Sequence, residues 1–231
     1  MSVEIRRGTS RFVEREPGRL SRHAFSFGSV YDPERLRFGP MVCHDDHLLG
    51  DGRGFEAHRH SGLVIVTYVA SGALAHTGDD GVTTVVQPGR LSVTRTGDGT
   101  THSEIAAAPQ TRFVQVWLAD DAPPDAPTYA VSEAADWAEA TEVVPGARLR
   151  VVDLASGGAS TVELPRAAFV HAYVARGALL RNSLAEPLAE GDAFELADVP
   201  AEMPLEPLAA GVPTTLLIWE FDADRVPHPP A

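Results

Sequence analysis

The chain has 231 residues, enough for one large domain or two smaller ones with real cores. With 44% hydrophobic and 22% charged residues, its composition is that of an ordinary globular protein. A formal net charge of −13 provides no basic stripe for a phosphate backbone, so direct nucleic-acid binding is not expected.

The single cysteine, Cys43, argues against a disulfide framework or zinc-ribbon spacing. The N-terminal stretch MSVEIRRGTSRFVEREPGRL is charged where a signal peptide has an apolar core. No apolar run nears the roughly 20 residues that span a bilayer. The expectation is a cytoplasmic protein without membrane association.

In chain order, short apolar runs recur between Gly, Pro and Asp: LVIVTYVASG, VTTVVQPGRLSVT, RFVQVWLADD, RLRVVDLASG, AAFVHAYVARG and TTLLIWEFDAD. Each is short for a helix, rich in Val, Thr and aromatics, and bounded by turn residues. That pattern predicts a many-stranded all-β protein of sandwich or barrel type. One segment reads as helical, Ser132 to Ala140 (SEAADWAEA), with Ser132 as N-cap before an acidic first turn.

The two halves resemble each other. VTYVASGAL, from Val66, matches HAYVARGAL, from His171; QPGRLSV matches AEGDAFEL; FVQVWL matches LLIWEF. Two β domains of related build are predicted, 1–130 and 131–231, divided at the Pro/Asp/Ala-rich stretch ADDAPPDAPTYA.

The chemistry sits in the first half. If FEAHRH is extended, side chains alternate and Glu56, His58 and His60 share one face. In TGDGTTHSEIA, His102 and Glu104 are again two apart. Turn signals between the two stretches allow an antiparallel ribbon to bring them opposite each other. Three imidazoles and a carboxylate suit a divalent transition metal, and with positions left open they suit non-haem Fe(II) best. Structural zinc sites usually take cysteine, which is missing from these two stretches.

These residues resemble the cupins, and specifically the pirin family. Gly52 and His58-x-His60 fit the first cupin motif; Gln87-Pro88-Gly89 followed by His102 fits the second. Pirin character comes from SRHAFSFGSVYDP, DDHLLGDGRGFEAHRH, IVTYVASGALAH and TGDGTTHSE. The resemblance implies a bicupin, two jelly-roll-type β-barrels packed together with few short helices. It also implies one metal in the first domain only, held by His58, His60, His102 and Glu104. Iron is the expectation, with Ni, Mn, Cu, Co or Zn as other candidates.

The implied activity is that of a quercetin 2,3-dioxygenase, cleaving a flavonol or another enolic or phenolic small molecule with O2. Glu104 or Glu56 would take the substrate's hydroxyl proton. The alternative is an iron-containing redox sensor that binds a regulatory protein partner. Two departures stand out: Val64 replaces a Glu common in cupins, and Glu56 stands where relatives carry a small residue.

In the second half, aligning Tyr173 on Tyr68 puts Glu163 and Pro165 where His58 and His60 stand, so no metal is expected there. Other histidines receive plainer readings. His23 is placed near the pocket mouth, His44 and His47 in a solvated loop or strand edge, and His76 and His228 in solvent. Phe25 and Phe27 read equally well as cavity lining or strand packing. Gly97-Asp98-Gly99 reads as a tight turn that aims His102 inward.

Overall fold

The computed structural model describes residues 2–120, 126–157, 160–182, 186–200 and 202–223. The strands begin with β1 Ser2–Arg6, β2 Phe12–Glu16, β3 Arg19–His23, β4 Met41–Leu49, β5 Gly54–His60 and β6 Leu63–Ser71. They continue with β7 Leu74–Thr77, β8 Thr83–Val86, β9 Arg90–Arg95, β10 Thr100–Ala106, β11 Thr111–Ala119 and β12 Thr128–Glu133. Then follow β13 Thr141–Val144, β14 Ala147–Leu154, β15 Thr161–Val162, β16 Phe169–Arg176, β17 Ala193–Ala197, β18 Leu208–Ala209 and β19 Thr214–Phe221. The fold is all-β, as the alternating Val- and Thr-rich runs require.

Two compact units divide the chain. Among the described residues, one contains Phe12–Arg37 and Met41–Ala134; the other contains residues 2–11, Phe38–Pro40 and the described residues from 135 to 223. The first strand belongs to the second unit, because β1 pairs along its length with β17.

The first unit has a seven-stranded sheet, β12-β9-β6-β11-β4-β3-β2, and a four-stranded sheet, β5-β10-β7-β8. Leu49, Val69 and Phe113 of the larger sheet pack with Leu74, Val86 and Ala106 of the smaller in one apolar cluster. The two sheets thus face each other, as in a sandwich. The second unit has a six-stranded sheet, β1-β17-β16-β19-β14-β13, and the two-stranded β15-β18. Its core gathers Phe194, Leu216, Ile218 and Val170. Neither unit closes into a barrel, but both fit a bicupin.

The internal resemblance is carried into the topology. The matched segments form β6 and β16, β9 and β17, and β11 and β19. Their order is β9-β6-β11-β4 in one sheet and β17-β16-β19-β14 in the other.

The helix expected over 132–140 does not form. Ser132 and Glu133 end β12, pairing with Leu91 and Arg90 of β9, and only Ala134–Trp137 turns into a 3-10 helix. That 3-10 turn has no buried residue, and so short an isolated helix is marginal without an apolar face to bury. Strand pairing supplies the backbone hydrogen bonds instead.

Candidate metal centre and cavity

The antiparallel pairing of β5 with β10 sets His58 opposite His102 and His60 opposite Thr100. Further along, Glu104 faces Phe55, so β10 advances two residues while β5 advances three. This β-bulge interrupts the alternation on β5. Phe55, His58 and His60 therefore share the cavity face, and the predicted Glu56, His58, His60 face does not form. Glu56 and Ala57 are both exposed. The backbone of Glu56 still contributes, since its carbonyl oxygen accepts a 2.7 Å hydrogen bond from Nδ1 of His58. The close approach of the two strands needs glycine at position 54, where a Cβ would overlap the Glu104 carbonyl oxygen.

One ligand nitrogen from each of His58, His60 and His102 lies within 4.8 Å of the others. Two nitrogens bound to one metal at about 2.1 Å lie at most about 4.2 Å apart, so small ring movements complete the set. Nε2 of His60 and Nε2 of His102 are buried without a hydrogen-bond partner. His58 commits Nδ1 to Glu56, which leaves Nε2 as its free nitrogen. His102 places Nδ1 3.0 Å from Nε2 of His76, which does the same. Burial holds His60 near pKa 4 and His102 near 3, with the His58 charge opposing protonation of both. Neutral imidazoles with inward lone pairs suit one metal ion.

Glu104 lies outside this three-nitrogen group but lines the same cavity. Both its oxygens accept from Nε2 of Gln115, at 2.9 and 2.8 Å. Trp117 Nε1 donates to Oε1 of Gln115 at 2.8 Å, which turns the amide nitrogen toward the carboxylate. Burial pushes the Glu104 carboxyl up to about 7, against the opposing Gln115 hydrogen bond.

The cavity measures about 210 Å³. Its aromatic walls are Phe27, Phe55 and Trp117, and its polar ones include His23, Asp45 and His47. Phe27 therefore lines the cavity, whereas Phe25 is buried and is not among the lining residues.

Several polar residues lie deeper than their sequence context predicts. His44, Asp45, Asp46 and His47 are all buried in β4, which runs between β11 and β3, so this stretch is neither a solvated loop nor an edge. Their polarity is matched inside the protein. His23 Nδ1 meets Asp45 Oδ2 at 2.8 Å, Ser21 Oγ meets His47 Nδ1 at 2.8 Å, and Arg112 forms a two-point pair with Asp46. His76, expected in solvent, is only 5% exposed on β7 and stacks on Tyr129 with ring centroids 3.9 Å apart. His228 lies outside the described residues. Gln115 was visible only as one polar residue in the apolar run FVQVWL.

Two facing sheets with three histidines clustered beside a cavity define a cupin-type centre. The pirin family profile matches residues 6–118. A Mycobacterium tuberculosis protein named a candidate quercetin 2,3-dioxygenase is 34% identical over 241 residues, covering 96% of each chain. The Escherichia coli quercetin 2,3-dioxygenase is 31% identical over 98 residues, 42% of each chain. Among solved structures, the bacterial pirin YhhW from E. coli in complex with nickel(II) superposes with a TM-score of 0.81 at 20% identity. That match covers 96% of this chain and all 100% of the other. A quercetin 2,3-dioxygenase from Acinetobacter baumannii superposes with a TM-score of 0.67 at 18% identity, covering 95% of this chain and 86% of the other. This chain belongs to the pirin family.

Proposed function

We propose that the protein is a metal-dependent dioxygenase of the pirin type that acts on a phenolic or enolic small molecule, with quercetin as the test substrate. The observation that carries this reading is the convergence of the His58, His60 and His102 imidazoles beside an aromatic cavity. The names of the relatives point to the same class. His58, His60 and His102, joined by Glu104, would hold the metal, with Fe(II) the ion proposed. When bound, such an ion supplies the redox chemistry that couples an electron-rich organic oxygen to O2.

The chain's own residues do the rest. Phe27 meets Trp117 edge to face at 6.1 Å, and Trp117 meets the His60 ring at 4.7 Å, so an aromatic substrate finds ring surfaces beside the centre. Phe55 packs against the rings of His47 and Phe113, closing another wall against water. Gln115 fixes the Glu104 carboxylate through its amide. A dry, shaped site strengthens every polar interaction made inside it.

Oxygen uptake with quercetin, compared between the iron-loaded chain and His58→Ala, tests the proposal. Uptake that depends on His58 is expected. Equal rates in the two proteins would sink it.

A further inference from the structure

We propose that His23, held by Asp45, takes the hydroxyl proton of the substrate, so that the cavity selects an uncharged phenol or enol over a carboxylate-bearing compound. The inference rests on the oxygenase reading above.

His23 lines the cavity from β3 and is only 5% exposed. Its Nδ1 lies 2.8 Å from Oδ2 of Asp45, a carboxylate 4% exposed on β4. An ionised carboxylate accepts and cannot donate, so this contact places the ring proton on Nδ1. Nε2 is then a lone-pair acceptor, and it is buried with no hydrogen-bond partner. A buried polar atom left unpaired loses free energy that a ligand hydroxyl can restore. The Asp45–His23 pair has the build of an oriented general base, with the carboxylate fixing tautomer and direction.

The other charged and titratable groups around the ring point to the same ligand. Glu14 on β2 brings Oε2 to 4.0 Å from His23 Nε2, beyond hydrogen bonding. His47 on β4 crosses the His23 ring at 6.4 Å. No arginine lines this cavity among the described residues, whereas Glu14, Asp45 and Glu104 do. An anionic ligand would meet like charges with no partner; a neutral hydroxyl compound meets an acceptor. Phe27 stacks on His23 with centroids 4.8 Å apart and planes at 12°, extending an aromatic surface beside that acceptor. A cavity of about 210 Å³ fits one substituted ring, since about 150 Å³ suffices for benzene.

The proton balance is simple. The substrate O–H bond breaks, its electron pair stays on the oxygen, and the proton passes to His23 Nε2. The imidazolium so formed lies against the Asp45 carboxylate, with Glu14 beside it. Asp45 acts only through His23 and is a positioning residue.

The probe is 4-nitrocatechol, whose visible spectrum distinguishes its neutral and anionic forms. The full chain, freed of metal by a chelator, is titrated with it in buffer more acidic than the dye's own ionisation. Wild type is expected to bind the dye as the anion and to leave 4-nitrobenzoate unbound. His23→Gln should bind it about tenfold more weakly, the worth of one net hydrogen bond, and with the neutral spectrum. Asp45→Asn should ionise the bound dye only at higher pH, and Asp45→Glu should restore the wild-type spectrum. Thermal melts of all three variants report folding. A His23→Gln protein that binds the dye as the wild-type anion overturns the assignment, as does tight binding of the benzoate. Oxygen uptake in the iron-loaded chain separates the two readings. If wild type consumes oxygen with quercetin and His23→Gln does so with an unshifted pH profile, only the role of His23 falls. If wild type consumes none, the oxygenase reading falls and the dye spectrum still decides on His23.

Discussion

Nε2 of His76 lies 3.0 Å from Nδ1 of His102, joining a ring on β7 to one of the three converging imidazoles on β10. Tyr129 stacks on the other side of this support, its plane within 4° of the His76 ring. Outer partners of this kind fix the tautomer and direction of a ligating ring, and losing one weakens metal binding about 10- to 100-fold. His76→Phe keeps the stack and removes the hydrogen bond. Its iron affinity, measured by competition with a chromogenic chelator, should drop by that factor while the fold survives. Unchanged affinity would mean that His102 needs no such support.

Gly54→Ala places a methyl group on the Glu104 carbonyl oxygen and against the backbone of Ile105. Backbone cannot move aside as a flexible side chain can. A loss of about 2 kcal/mol or more is expected, read as a lower denaturant midpoint with an unchanged slope. Because the bulge beside Gly54 aims His58, metal content should fall with it. A variant as stable as wild type would show that β5 and β10 can separate freely.

Asp46 and Arg112 are 2% and 9% exposed, and the guanidinium bonds both carboxylate oxygens at 2.9 and 2.8 Å. Removing one member leaves a buried charge without its main partner, which costs about 3–5 kcal/mol. Arg112→Met should therefore unfold at a much lower temperature than wild type in a calorimetric scan. A loss under 1 kcal/mol would indicate that water reaches Asp46 in the variant.

Two buried histidines predict acid sensitivity. Burial lowers His47 to about 4, where Asp45 and Asp46 oppose the shift and His23 and Arg19 add to it. Burial lowers His171 to about 3, with Arg11 and Arg6 adding. Each folded-state value lies below the ordinary 6.5, so between these limits the unfolded chain binds more protons. Stability is then complete above about pH 6.5 and falls as acid is added, by roughly 2 kcal/mol per ring at about pH 5. Melting temperatures of the metal-free chain across that range check this, and His171→Phe should flatten the profile. A flat wild-type profile would contradict the neutral burial of both rings.

The departures from the sequence reading have a common cause. Alternation along β5 predicts Glu56 on the histidine face, but one extra residue in that strand puts Phe55 there instead. Polar residues in CHDDH suggest solvent, but their partners come from distant strands. Asp45 meets His23 across 22 positions and Asp46 meets Arg112 across 66. The helix signal of Ser132 and its acidic turn is local, and it loses to the long-range pairing of β12 with β9. By contrast, the repeat between VTYVASGAL and HAYVARGAL survives folding, because each copy carries the same apolar pattern into the same strand order.

The sequence by itself determined the all-β class, the paired halves and the two stretches that bring His58, His60 and His102 together. Strand periodicity and turn residues act over a few positions, so they are written locally. Only the tertiary structure decided which side chains meet at the cavity wall. It turned Glu56 outward, fastened Glu104 to Gln115, set His76 behind His102 and placed the His23–Asp45 pair opposite an aromatic ring. Those contacts depend on bulges and strand register, which arise when remote segments pack and are encoded in no single window of the chain.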